Sequence, residues 1–181
     1  MGSLRSLRRK ERPEPVAPPV PSDIKVLNTI YRGTISQLKA LLVQGANPDA
    51  QNEDAKTALE YAASYGKIGM VKVLVKYGAN VNHRDSDRST ALHGAISFAC
   101  RMLHPICTFL LDRSADPNAV DSRGNTPLMK AVLYREFDVA KLLLERGANA
   151  TLRNNNGHRA IDLLRRGKGS ESLRKLLKQV S

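Results

Sequence analysis

One short phrase recurs along the 181 residues and limits what the chain can become. TALEYAA (Thr57–Ala63), TALHGAI (Thr90–Ile96) and TPLMKAV (Thr126–Val132) are three copies of it, and RAIDLL, from Arg159, is a degenerate fourth. Their starts lie 33, 36 and 33 residues apart. A second phrase, GAN or SAD, begins at Gly45, Gly78, Ser114 and Gly147 and keeps the same three intervals. Units this short cannot bury an apolar face alone, so they must stack, each against its neighbours.

Each unit reads as two helices and a turn. Thr57, Thr90 and Thr126 can cap a first turn with their hydroxyls. Pro127 follows Thr126 at a position where a missing N–H costs nothing. Ala62, Ala63, Ala95 and Ala131 then let neighbouring helices approach closely. The second helix follows in MVKVLVKYG (Met70–Gly78) and DVAKLLLERG (Asp138–Gly147). Val71, Leu74 and Val75 recur there at helical spacing, as do Val139, Leu142 and Leu143. Gly45, Gly78 and Gly147 end these helices where a left-handed cap is needed. Polar stretches, NHRDSDRS (Asn82–Ser89) and AVDSRGN (Ala119–Asn125), form turns between units. Composition agrees, since 41% of residues are hydrophobic while Trp is absent and Phe numbers three. A core of Leu, Val, Ile and Ala suits closely stacked helices.

These phrases resemble the ankyrin repeat, whose pattern runs D-x-x-G-x-T-P-L-H-x-A-A and later L-L-x-x-G-A-D/N. The resemblance covers residues 23–181 and implies an all-α solenoid of helix-turn-helix units joined by hairpin-like turns. On that pattern, residues 1–22 are a basic, proline-rich tail expected to be disordered. Residues 23–51 form an N-terminal capping repeat without the T-P-L-H phrase. Full repeats occupy 52–84, 85–120 and 121–153, and 154–181 is the C-terminal cap, with Arg159 for Thr and Asp162 for His. Ala58 and Ala91 replace the pattern's Pro, and only His93 keeps its histidine. The repeat 85–120 is three residues longer than its neighbours, with the surplus near Cys100–Met102. Pro105 can open its second helix, so the surplus is expected to lengthen the first helix or its turn. It is either a tolerated insertion or a bulge that reshapes the groove at its centre.

The resemblance also implies where a partner is held, since in this family the hairpin tips and the inner faces of the first helices make most contacts. The matching tips are Glu53, Asp54 and Lys56; Ser86, Asp87 and Ser89; Ser122, Arg123 and Asn125. The matching groove positions are Ser64 and Tyr65, Ser97 and Phe98, Leu133 and Tyr134, with Arg84 and Val120 just before their hairpins. The eighth residue after each repeat Thr is Tyr65, Phe98 or Tyr134. A chain with eight Phe and Tyr thus places three at one repeat position, beside Leu133. Such rings give large contact area at low entropic cost. The competing reading packs them between repeats. Candidate partner-binding residues are therefore Tyr65, Phe98, Leu133, Tyr134, Arg84, Asp87, Val120 and Arg123.

The net charge of +12 sits at the ends. Residues 1–12 carry +4, from Arg5, Arg8, Arg9, Lys10 and Arg12 against Glu11, and residues 150–181 carry +6. Both ends favour an anionic partner. The helix ending LRKLLKQV is read chiefly as the closing cap, Leu173, Leu176, Leu177 and Val180 inward. Readings of the tail stay open. Met1-Gly2-Ser3-Leu4-Arg5-Ser6 fits the N-myristoylation pattern at Gly2, with Arg5, Arg8, Arg9 and Lys10 able to meet an anionic membrane. Arg12, Pro15 and Pro18 fit an extended ligand of SH3-type domains. RSLRRKER could direct nuclear import, and a solvated spacer is the plain alternative.

No apolar run reaches membrane-spanning length, and no apolar stretch follows the basic start, so a secretory signal is not expected. Cys100 and Cys107 are too few for a disulfide framework. With His104 they give only three metal ligands, so a packed thiol is expected at Cys107. No phosphate loop or nucleophile–base pair stands out, and the aromatic row is separate from the basic ends, which disfavours nucleic acid. The expectation is a monomeric, non-catalytic adaptor or inhibitor that grips another protein, without cofactor or metal. Its compartment is expected to be the cytoplasm, with a membrane's cytoplasmic face or the nucleus as alternatives.

Overall fold

The computed structural model describes residues 21–97, 102–165, 167 and 170–179. Ten helices lie among them: α1 (Pro21–Arg32), α2 (Ile35–Val43), α3 (Ala58–Ser64), α4 (Ile68–Lys76), α5 (Ala91–Ser97), α6 (Leu103–Asp112), α7 (Pro127–Leu133), α8 (Phe137–Glu145), α9 (Ala160–Leu163) and α10 (Ser170–Gln179). No strand is found among the described residues, only an isolated bridge between Gln51 and Thr57. None of these helices is long and apolar enough to cross a membrane.

The helices form two rows. The first helices pack in the order α1, α3, α5, α7, α9, and the second helices in the order α2, α4, α6, α8, α10. The core between the rows is the aliphatic set the sequence supplies: Ile30, Leu38, Leu59, Leu74, Leu92, Ile96, Ile106, Leu110, Leu128, Leu143 and Leu173 are fully buried. The small residues Ala62, Ala63, Ala95 and Ala131 are buried where successive first helices meet. Cys107 is a buried thiol in the same core.

Repeat Thr residues start the first helices as their chemistry requires. Thr57 and Thr126 accept the backbone N–H of Glu60 and Met129 on their hydroxyls, each at 3.3 Å. At the other end of each unit, Gly45, Gly78 and Gly147 take φ of 88°, 94° and 87°. Ser114 fills that place in the long repeat at φ 63°.

Between units, an Asx side chain shapes every hairpin tip. Asn52 Oδ1 accepts the N–H groups of Asp54 and Lys56 at 3.1 and 2.9 Å. Asp121 Oδ1 takes those of Arg123 and Asn125 at 2.9 and 2.8 Å, and Asn154 Oδ1 those of Asn156 and His158 at 3.1 and 3.0 Å. Backbone bonds then tie tip to tip: Ser86 N–H to the Asp54 carbonyl (3.0 Å), Ser122 to Asp87 (2.7 Å) and Asn155 to Arg123 (3.0 Å). The tips thus form one continuous hydrogen-bonded edge.

The insertion is only partly visible. Residues 98–101, which include Phe98 and Cys100, lie outside the described residues, as does the tail with Gly2, Arg5, Arg8, Arg9, Lys10 and the Arg12, Pro15, Pro18 pattern. α6 begins at Leu103, two residues before Pro105, and runs for ten residues against nine in α4 and α8. Pro105 therefore does not open the helix. It still sits in the first turn, where its absent N–H breaks no helical bond.

Candidate functional site

The inner face of the stack is made by the first helices and the row of tips. Three repeat rows line it: Tyr61, Gly94 and Lys130; Ser64, Ser97 and Leu133; Tyr65 and Tyr134. Phe98, which shares the third interval in sequence, lies outside the described residues. Side-chain size varies sharply along these rows. The middle is low, because Gly94 and Ser64 let α3 and α5 approach until a Cβ on Gly94 would lie 2.7 Å from Ser64 Oγ. Bulk rises on both sides of this notch.

Toward the C-terminal end, a cleft of about 240 Å³ is lined by Asp87, Ser89, Asp121, Ser122, Arg123, Asn125, Lys130, Leu133 and Tyr134. Four of the residues expected from sequence, Asp87, Arg123, Leu133 and Tyr134, meet here. Leu133 and Tyr134 are 46% and 50% exposed, a large apolar surface at the end of α7. Arg84 and Val120 are joined directly, Arg84 Nη2 donating to the Val120 carbonyl at 3.0 Å, which places them beside the tips and makes that contact intramolecular.

The cleft floor is polar and ordered. Lys130 Nζ lies 3.4 Å from Asp121 Oδ2, with both side chains mostly buried. Burial pushes the Asp121 carboxyl up, but the Asn125 N–H, the Lys130 charge and the Arg123 N–H outweigh it and hold its pKa below the usual value. One repeat back, His93 is fully buried. Its Nδ1 accepts from the Thr90 N–H at 3.3 Å, which leaves Nε2 to donate to the Asn125 carbonyl at 3.1 Å. Burial, reinforced by the Lys130 charge, drives its pKa down to about 4. The neutral ring links the start of α5 to the tip before α7.

Toward the N-terminal end lies a cluster the sequence reasoning missed. Tyr31, Tyr61 and Tyr65 pack together, with ring centroids 5.2 Å apart for Tyr31–Tyr61, 5.5 Å for Tyr31–Tyr65 and 6.1 Å for the stacked Tyr61–Tyr65 pair. Tyr61 and Tyr65 share α3 and its cap, whereas Tyr31 comes from α1. Tyr65 is therefore half-exposed (45%) and at the same time packed against a ring of the neighbouring unit. Burial and a hydrogen bond to Tyr61 push the Tyr31 hydroxyl up to about 12. Tyr31 was readable: it lies 33 residues before Ser64, itself 33 before Ser97, on the same inward row. The capping unit lacks the T-P-L-H phrase from which that row was counted.

Among the described residues no group of three His, Cys, Asp or Glu side chains could hold a metal ion. The arrangement presents shape, apolar surface and charge, which is what recognition of a macromolecular surface requires.

Comparison with known proteins gives the same architecture. The family model described as ankyrin repeats (3 copies) matches residues 27–121, and the one described as ankyrin repeats (many copies) matches residues 110–164. The chain is 37% identical over 83 residues to ankyrin repeat protein 14 of vaccinia virus (strain Western Reserve), covering 45% of this chain and 35% of that protein. It is 41% identical over 66 residues to ankyrin repeat domain-containing protein OPG023 of cowpox virus (strain Brighton Red), covering 36% and 10%. It is 48% identical over 56 residues to putative palmitoyltransferase ZDHHC13 of Danio rerio, covering 30% and 9%. The matched stretch is thus about a third or less of each relative's length. Two models of one repeat tile the described stack from α1 to α9, and the chain belongs to the ankyrin repeat family.

Proposed function

We propose that this chain is a non-catalytic adaptor or inhibitor that grips a partner protein in the C-terminal half of its inner face. Ankyrin repeats are generally protein-protein interaction modules, and one observation supports this location: Leu133 and Tyr134 stand half-exposed over a polar, well-ordered cleft. The apolar pair supplies area to bury. Asp87, Arg123 and the Lys130–Asp121 pair supply direction, with both charge signs present to select a polar partner segment.

The test is the double variant Leu133→Ala with Tyr134→Ala, compared with the parent for binding to a partner that the parent captures from cells. Affinity should fall by roughly 2 kcal/mol or more, as for central aromatic contacts. Stability should move by only about 0.5 kcal/mol, because both side chains face outward. Undiminished affinity together with a large fall in melting temperature would place these side chains in the fold and not in recognition.

A further inference from the structure

The opposite end of the inner face has a different chemistry. A cleft of about 340 Å³ opens between α1 and the first hairpin tip, lined by Ile24, Tyr31, Tyr61, Glu53 and Asp54 among others. Ile24 is 46% and Tyr31 44% exposed. Glu53 and Asp54 are exposed and make no ion pair with any described residue. Lys56 Nζ lies 5.7 Å from the Tyr61 ring centroid, so that ring already accepts a cation. Asp54 accepts one hydrogen bond from Asn52 Nδ2 at 3.4 Å and keeps its charge unpaired among the described residues. Adjacent tyrosines beside such carboxylates suit an extended proline-rich segment that carries an arginine: the rings take the prolines and the acids take the guanidinium.

Such a segment stands immediately before α1. Arg12, Pro15 and Pro18 follow the spacing of an extended proline-rich ligand, within a tail whose first twelve residues carry +4. We propose that residues 12–18 of this chain dock intramolecularly on Tyr31, Tyr61 and Tyr65, with Arg12 at Glu53 and Asp54. Reach permits it. The nine residues 12–20 that precede α1 span up to about 30 Å when extended. From Pro21 to Tyr31 the α1 axis covers only about 15 Å. A short tether sets an effective concentration in the millimolar range, so even a weak contact is populated. The docked tail covers the N-terminal half of the groove and leaves the Leu133–Tyr134 cleft open. It therefore limits how far along the inner face a partner can lie. This inference rests on the inner face being a ligand groove, but it uses different residues from the partner site.

The five tyrosines allow a test in the full chain with ring carbon-13 labelling, followed by NMR. Replacing the pattern by Arg12→Ser, Pro15→Ser and Pro18→Ser together should move the ring signals of Tyr31, Tyr61 and Tyr65. Tyr77 and Tyr134 should stay in place, and the difference should not depend on protein concentration. A synthetic peptide of residues 9–20, added at millimolar concentration to the substituted chain, should return the three signals toward their parent positions. Unmoved Tyr31, Tyr61 and Tyr65 signals would overturn the proposal. So would a concentration-dependent difference, which would make a second copy the occupant, or a displacement that the peptide does not reverse. None of these outcomes bears on the Leu133 and Tyr134 variants, so the two proposals fail separately.

Discussion

Position four of the repeated phrase is filled by Glu60, His93, Met129 and Asp162, and these four side chains meet the same backbone geometry in different ways. Glu60 accepts the Thr57 N–H on one oxygen at 2.8 Å, while its other oxygen is buried without a partner. Burial raises its pKa to about 8, with the Asp85 charge adding and the Thr57 N–H opposing. The folded chain therefore holds this proton more tightly than the unfolded chain. Its contribution is full below about 4.5 and is lost as pH rises toward 8. His93 behaves oppositely, full above 6.5 and lost as pH falls toward 4. Glu60→Gln keeps an acceptor for Thr57 and removes the alkaline loss. Thermal unfolding should show the variant gaining on the parent between pH 5 and pH 8, each unit of pKa difference being worth about 1.4 kcal/mol. A constant difference across that range would mean Glu60 is ionised in the fold. Backbone conformation gives a second residue-scale prediction. Ser114 stands at φ 63° where Gly45, Gly78 and Gly147 stand in other units. A side chain there is strained by about 1 kcal/mol, so Ser114→Gly should stabilise by up to that amount. Gly78→Ala should cost about as much, since no atom lies within 4 Å of its added Cβ and only the backbone objects. Denaturant midpoints of the two variants should move in opposite directions.

At the scale of elements, the ends of the stack differ from its middle. α9 has only four residues and its C-cap is extended, so it cannot by itself cover the outer side of α7 and α8. α10 completes the cover. Leu173 and Leu177 are fully buried, α10 packs on both α8 and α9, and Arg174 Nη2 donates to the Leu164 carbonyl at 2.9 Å. Leu173→Ala should therefore cost about 2–5 kcal/mol in chemical denaturation, as for other buried leucines. A loss below 1 kcal/mol would show that α10 rests loosely on the stack. At the other end, Lys67 Nζ donates to the Ile30 and Tyr31 carbonyls at 2.6 and 3.1 Å, closing α1 from the next repeat. These long-range caps join residues 36 or 37 apart in sequence. No pattern within one repeat announces them, because neither capping unit carries a full copy of the phrase.

For the molecule as a whole, stability is a sum of unit terms and nearest-neighbour interfaces. Removing residues 159–181 would uncover the α7–α8 unit, with Val139, Ala140 and Leu143 among its buried side chains. The truncated chain should lose cooperative unfolding or self-associate, read by calorimetry and sedimentation. A monomer with the parent's melting midpoint would show that the stack needs no C-terminal cover. The periodic phrases determined the number of units, the helix pairs, the buried aliphatic core and the family, because each follows from local chemistry repeated at a fixed interval. They also pointed to Leu133, Tyr134, Asp87 and Arg123, which the fold gathers in one cleft. What they could not supply was which side chains from different units touch. The Tyr31–Tyr61–Tyr65 cluster, the Arg84 bond to Val120 and the His93 link to Asn125 all span a boundary between units, so their geometry depends on how one repeat is set against the next. That setting is made by the tip-to-tip backbone bonds and by the close approach at Gly94 and Ser64. Only the packed stack, by bringing those surfaces together, decides it.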